Sequence, residues 1–153
     1  MPTIKCGFDD QTGGQSGRDA LTLYGPTLWV QIGFDSAFRP IAGTKPNLPP
    51  DQHPALVDTG ATESCIDSHL ALVLNLPIVD RQNVAGVHGA DTVNIHLAQI
   101  YVPTLNFTVY GRFAGVHLRA GGQPHFALIG RTFLEDFTMR YEGKTGMVTL
   151  SSE

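Results

Sequence analysis

An aspartate that takes part in chemistry must sit where burial and backbone N–H groups can set its acidity. Asp58 is such a residue. It follows the apolar run Ala55-Leu56-Val57 and opens the turn Asp58-Thr59-Gly60-Ala61-Thr62. A buried strand that delivers a carboxylate into a tight turn suits catalysis better than solvation. Asp and Gly also favour turns for purely local reasons, so the turn alone decides little. By residue frequency, Asp-Thr-Gly-Ala should occur by chance in on the order of a few per thousand chains of this length. What raises it above accident is the apolar run before it and a second motif downstream, Phe126-Ala127-Leu128-Ile129-Gly130-Arg131-Thr132-Phe133-Leu134. There an apolar strand runs into glycine and then into a short amphipathic segment.

Other chemistries find less support. His53, His69, His96, His117 and His125 lack metal-ligand spacing, and the sequence has no His-Glu-x-x-His. No metal and no cofactor is expected. Cys6 and Cys65 are too few for a disulfide framework, and Cys65 reads as a small apolar residue with no histidine placed to activate it. Gly86-Val87-His88-Gly89 is too short and too poor in lysine for a phosphate loop. His88 has two readings, as a residue that touches substrate or as an ordinary surface histidine.

The elements that must position Asp58 are short. The chain holds 17 glycines and 10 prolines, which points to many turns and short strands. Residues 1–20, with Gly13-Gly14-Gln15-Ser16-Gly17 at their centre, read as a flexible N-terminal arm. Residues 21–153 read as one domain, large enough to bury a core without disulfides. Strands are expected at 27–34, 54–58, 91–101, 105–110, 137–141 and 147–150. In the 91–101 strand, Val93, Ile95, Leu97 and Tyr101 share one face, and Asn94, His96 and Ala98 the other. Residues 38–54, with Pro40, Pro46, Pro49, Pro50 and Pro54, form a long loop. Ser68 to Leu76 is the best helix, capped by Asp67 or Ser68 and followed by Pro77. The small-residue stretch 84–91 reads as a flexible hairpin tip.

Charge narrows the partners. Only 16% of residues are charged and the formal net charge is −4, which argues against binding nucleic acid or anionic membranes by electrostatics. No segment approaches the roughly 20 apolar residues of a membrane span, and no apolar run follows Met1-Pro2-Thr3-Ile4-Lys5. A cytoplasmic protein is the expectation.

The order strand, Asp-Thr-Gly, helix, glycine-bearing hairpin, strand, Gly-Arg, short helix resembles the retropepsin-like aspartic proteases. The resemblance spans residues 27 to 150 and rests on Ala55 to Ala61 together with Ala127 to Arg131. It implies a mainly β fold, a closed or partly open β-barrel of the acid-protease type with one or two short helices. It implies that Asp58 is the catalytic carboxylate. Thr59 would bond across to a partner subunit, and Gly60 would let substrate backbone approach. Ala61 and the flap residues Val84, Ala85, Gly86, Val87, His88 and Gly89 would bind substrate, with Ile129 at the apolar corner behind the turn and along the groove. Viral members usually carry an acidic residue directly after the alanine to pair with the arginine. Here Thr62 stands in that position, so the partner of Arg131 is open, with Glu63 a candidate. The run Thr62 to Pro77 is closer to cellular and bacterial members.

Such a mechanism needs two carboxylates, and Asp58 is the only aspartate in an Asp-Thr/Ser-Gly. A homodimer is therefore expected, with one Asp58 per subunit at the two-fold axis, acting as an endopeptidase on peptide or protein substrates. Two other readings stand beside it. One is a catalytically silent dimerisation or peptide-binding module of the same fold. The other is a small β-barrel binding module whose turn matches by coincidence.

Overall fold

The computed structural model describes residues 3–86 and 89–152, and of residues 84–86, 89 and 90 the backbone alone. Its core is a closed barrel. Strands β2 (Thr27–Gly33), β3 (Gln52–Val57), β8 (Ala127–Ile129), β4 (Cys65–Asp67), β7 (Phe107–Val116) and β6 (Gly89–Val102) follow one another around it. The ring closes because Gln31, Ile32 and Gly33 of β2 pair with Tyr101, Ile100 and Gln99 of β6. Closure leaves these strands no free edge at the seam. Leu28, Val30, Ile32, Ala55, Val57, Ile66, Ala98, Ile100, Val102, Phe113, Ala127 and Ile129 fill the buried core. The mainly β architecture expected for the chain is the one found.

The two faces of β6 sort as the sequence pattern does, and the structure shows which one lines the core. Ala98, Ile100 and Val102 belong to the core, and His96 is 1% exposed on the same side, its Nδ1 3.1 Å from the Leu76 carbonyl oxygen. The more apolar-looking set, Val93, Ile95, Leu97 and Tyr101, points the other way. Ile95 and Tyr101 are buried there as well, so both faces of the strand are covered and hydropathy alternation loses its meaning.

The helices are short and their ends are explicit. Helix α2 (Ser68–Val73) is capped by Asp67, whose Oδ2 accepts from the Leu70 N–H at 3.1 Å. The other oxygen of this buried carboxylate accepts from Leu118 and Arg119 N–H groups, so one side chain caps a helix and pins a loop. The helix stops before Pro77, with Asn75 in the left-handed region at φ 54°. A 3-10 turn at Pro103–Leu105 and Asn106 at φ 46° separate β6 from β7. Helix α3 (Arg131–Leu134) stacks Phe133 on Phe137, with Phe107 edge-on to both. The long loop after β2 is tied down: Asp35 accepts from Ala37 and Asn47 N–H groups, which hold its carboxyl below the ordinary range.

A second sheet packs below the barrel. In it β10 (Met147–Ser151) lies between β1 (Thr3–Lys5) and β9 (Thr138–Glu142). The stretch expected as a flexible arm thus carries, in its described part, a paired strand and the start of helix α1 (Gly17–Tyr24). Ile4, Cys6 and Leu21 enter the core. Ser16 caps α1 by accepting from the Asp19 N–H, and the Asp10 carboxylate accepts from the Gly17 N–H at 2.7 Å. The glycine-rich composition hides this order, because Gly7 and Gly17 serve close backbone packing, each with a carbonyl oxygen 2.2 Å from where a Cβ would lie.

Candidate active site

Strands β3 and β8 are parallel neighbours, with Ala55, Leu56 and Val57 opposite Ala127, Leu128 and Ile129. Parallel pairing brings their C-terminal ends to the same rim of the barrel, so the Asp58 turn and the Gly130 corner meet there. The contact is made by backbone. Asp58 N–H donates to the Ile129 carbonyl at 2.9 Å, Arg131 N–H to Ala61 at 2.8 Å, and Thr132 N–H to Thr62 at 3.0 Å. Gly130 N–H donates to Ser64 Oγ at 3.0 Å. Within the turn, Gly60 N–H donates to Asp58 Oδ1 at 2.9 Å and Ala61 N–H to the Asp58 carbonyl at 3.2 Å. A half-buried carboxylate is thereby held in one orientation by a backbone donor two residues on.

The closeness of the two segments explains the second glycine. A Cβ on Gly130 would lie 2.7 Å from the Glu63 carbonyl oxygen and 2.9 Å from that of Ala61. Gly130→Ala is expected to cost about 1–3 kcal/mol by overpacking. At roughly 2–4 °C per kcal/mol, the loss should show as a lowered thermal midpoint; an unchanged midpoint would contradict the clamp.

Arg131 answers the open pairing question. Its guanidinium donates from Nη1 to the Thr59 carbonyl at 2.7 Å and from Nη2 to Thr62 Oγ1 at 3.0 Å. Thr62 is therefore the side-chain partner, and the candidate Glu63 is not. Glu63 instead borders a separate depression with Phe107, Tyr110 and Phe133.

The remaining site residues fall into three groups. Thr59 and Gly60 are exposed at the turn and Ala61 is half-buried. Ile129 is fully buried. It supports the turn from behind and offers no surface to a groove, contrary to its expected place along one, because β8 is an interior strand of the barrel. Val84, Ala85 and Gly86 end β5 (Ile78–Gly86), and Gly89 begins β6; Ala85 pairs with Ala90 and Gly86 with Gly89. Val87 and His88 lie outside the described residues. Strand β6 pairs with β7 only from Ile95 onward, so the hairpin leaves the barrel as a two-stranded arm.

Sequence reasoning missed three neighbours of the carboxylate. Pro26, Met139 and Tyr141 line a depression of about 370 Å³ with Val57, Asp58 and Thr59. The alternation of Met139 and Tyr141 in β9 was visible as strand periodicity, but nothing in it tells which element the strand lies against. Cys65 also approaches Asp58: burial, chiefly, and the Asp58 charge push its thiol up to about 11, which leaves it protonated and inert near neutrality. Among the described residues no cluster of three or more His, Cys, Asp or Glu is placed to hold a metal ion. No helix among them is long and apolar enough to cross a membrane.

No protein-family profile matches the chain, and no curated protein does. Solved structures similar to it include two viral proteases. The EIAV protease complexed with the inhibitor HBY-793 has a TM-score of 0.47 and 18% identity, covering 72% of this chain and 86% of that one. The simian foamy virus (mac) protease has a TM-score of 0.44 and 15% identity, covering 71% of this chain and 91% of that one.

Proposed function

We propose that this chain is a retropepsin-type aspartic endopeptidase that hydrolyses peptide bonds as a homodimer. The observation that carries the reading is the Asp58 turn itself. Its carboxylate is fixed by Gly60 N–H, and its backbone is clamped by the Ile129–Thr132 segment at the rim of a closed barrel. Among the described residues the chain builds one such turn, so the second carboxylate comes from a second copy.

Two carboxylates a few ångströms apart share one proton. The ionised Asp58 takes a proton from water as its oxygen attacks the scissile carbonyl carbon. The protonated Asp58 of the other copy hydrogen-bonds the carbonyl oxygen and gives it a proton. Collapse of the tetrahedral intermediate then breaks the C–N bond, and the leaving amine receives a proton from the dyad. In this scheme Thr59 bonds across the two-fold, and Gly60 and Ala61 admit the extended substrate backbone. The hairpin residues Val84 to Gly89 cover the substrate and pair with it as a strand would. The protease unit takes in β1 and α1 along with residues 21–153. The run Thr62 to Pro77 supports a reading closer to cellular and bacterial members than to viral ones.

The test is cleavage of a diverse peptide library between about pH 3 and pH 7 at several protein concentrations. Below the dimer dissociation constant the rate is expected to rise faster than linearly with protein. A folded dimer that cuts nothing at any pH would overturn the reading and leave a binding module of the same fold.

A further inference from the structure

A dyad built from two copies needs an interface running past the Asp58 turn, and the small sheet reaches that place. Its central strand is already saturated. Thr3, Ile4 and Lys5 of β1 pair with Ser151, Leu150 and Thr149 of β10, whose other edge is occupied from Met147 to Ser151 by β9. Strand β1 is locked to its own chain beyond these pairs. Cys6 N–H donates to the Val148 carbonyl and Phe8 N–H to that of Gly146, at 2.9 and 2.8 Å. Gly7 packs so tightly on this turn that a Cβ there would lie 2.2 Å from the Gly146 oxygen.

Strand β9 is different. It has β10 on one side and, among the described residues, no strand on the other. Met139 stands opposite Leu150 and Tyr141 opposite Val148. Leu150 and Val148 are fully buried, yet Tyr141 is 54% exposed, because β9 overhangs the core. The overhang borders Asp58 and Thr59 in the depression described above. On the opposite face of the strand, Arg140 and Glu142 carry alternating charge and pair at 3.3 Å.

We propose that two copies join edge to edge through β9, antiparallel across a two-fold axis beside the Asp58 turns, without exchanging terminal strands. The inference rests on the homodimeric reading above and specifies the surface it uses. The result is one sheet of order β1-β10-β9-β9-β10-β1 beneath the dyad, covering Met139 and Tyr141 of both copies. A two-fold at Tyr141 sets Arg140 of each copy opposite Glu142 of the other, so the charge alternation is self-complementary. The partner is a second copy of this chain, since only that brings a second Asp58 to the same axis.

Disulfide trapping tests it, because a disulfide forms only where Cα atoms lie within about 7 Å. Burial raises both native thiols, to about 12 for Cys6 and about 11 for Cys65, so they compete little. At concentrations where the wild type sediments as a dimer, mild oxidation of Tyr141→Cys is expected to shift most chains to twice their mass. The double variant Lys5→Cys/Thr149→Cys is expected to oxidise within single chains, leaving their mass in denaturant unchanged. A wild-type dimer whose Tyr141→Cys variant stays uncrosslinked overturns the proposed edge, as does interchain linkage of the double variant. Asp58-dependent cleavage would then still support the protease reading. A wild type that stays monomeric and cuts nothing overturns both.

Discussion

Asp58→Asn is expected to lower peptide cleavage by at least about 10³-fold while leaving the fold intact. General acid–base catalysis contributes typically 10²–10⁴-fold per positioned group, and in the proposed homodimer the substitution strikes both carboxylates at once. The fold should survive because the amide keeps an oxygen that can accept the Gly60 N–H now donated to Asp58 Oδ1. The backbone bonds from Asp58 to Ile129 and from Ala61 to Asp58 do not involve the side chain. The measurement is kcat/KM on a cleaved library peptide, with circular dichroism confirming the fold. A mixing experiment sharpens it. If each active site takes one Asp58 from each copy, equal amounts of wild type and variant, allowed to exchange, leave about a quarter of the dimers wild type in both halves. Activity should fall to about that fraction of an equal total of wild type. Retention of half the activity would mean that each chain works alone, and unchanged cleavage by the variant would remove Asp58 from the chemistry.

The rim of the barrel was readable in the sequence because its signals are local. An apolar triplet that ends in Asp-Thr-Gly and another that ends in Gly-Arg each describe a strand and its exit, and a parallel pairing brings the exits together. What was not readable depends on which surface covers which. Strand β6 read as two-faced, with Ile95 and Tyr101 on one side and Ala98 on the other. Its pattern could not tell that Ala98, Ile100 and Val102 line the core while Ile95 and Tyr101 are covered too. The partner of Arg131 stayed open with Glu63 a candidate, and Thr62 and the Thr59 carbonyl take the guanidinium. Strand β1 and helix α1 were hidden in residues that read as a loose arm. Three residues of β1 pair with a strand near the other end of the chain, and no local pattern reports such a contact. Tyr141 is the most consequential case. Its neighbour Asp58 lies far away in sequence, and only the sheet brings the two beside one depression.

Gly146→Ala is expected to destabilise the protein by about 2–5 kcal/mol, and the reason is how closely the N-terminal residues pack on this turn. Gly146 has φ 80°, a conformation that costs an L side chain roughly 1–2 kcal/mol. A Cβ there would also meet the backbone of the next segment, with Gly17 C at 2.2 Å, Gly17 O at 2.4 Å and Arg18 N at 2.7 Å. Backbone atoms cannot rotate aside as a side chain can, so overpacking adds about 1–3 kcal/mol. At roughly 2–4 °C per kcal/mol, the thermal midpoint should fall by several degrees to well over ten. Gly13→Ala supplies the control, since Gly13 has φ 70° with nothing within 4 Å of its added Cβ. It carries the conformational cost alone, and the difference between the two variants isolates the packing of the 142–146 turn on α1. Equal midpoints would show that the contact contributes nothing. A large difference would bear on activity as well. The same turn joins β9 to β10, so loosening it frees the strand that carries Met139 and Tyr141 beside Asp58. Cleavage by Gly146→Ala should then fall most steeply at low protein concentration, where a weakened β9 edge limits how many Asp58 pairs form.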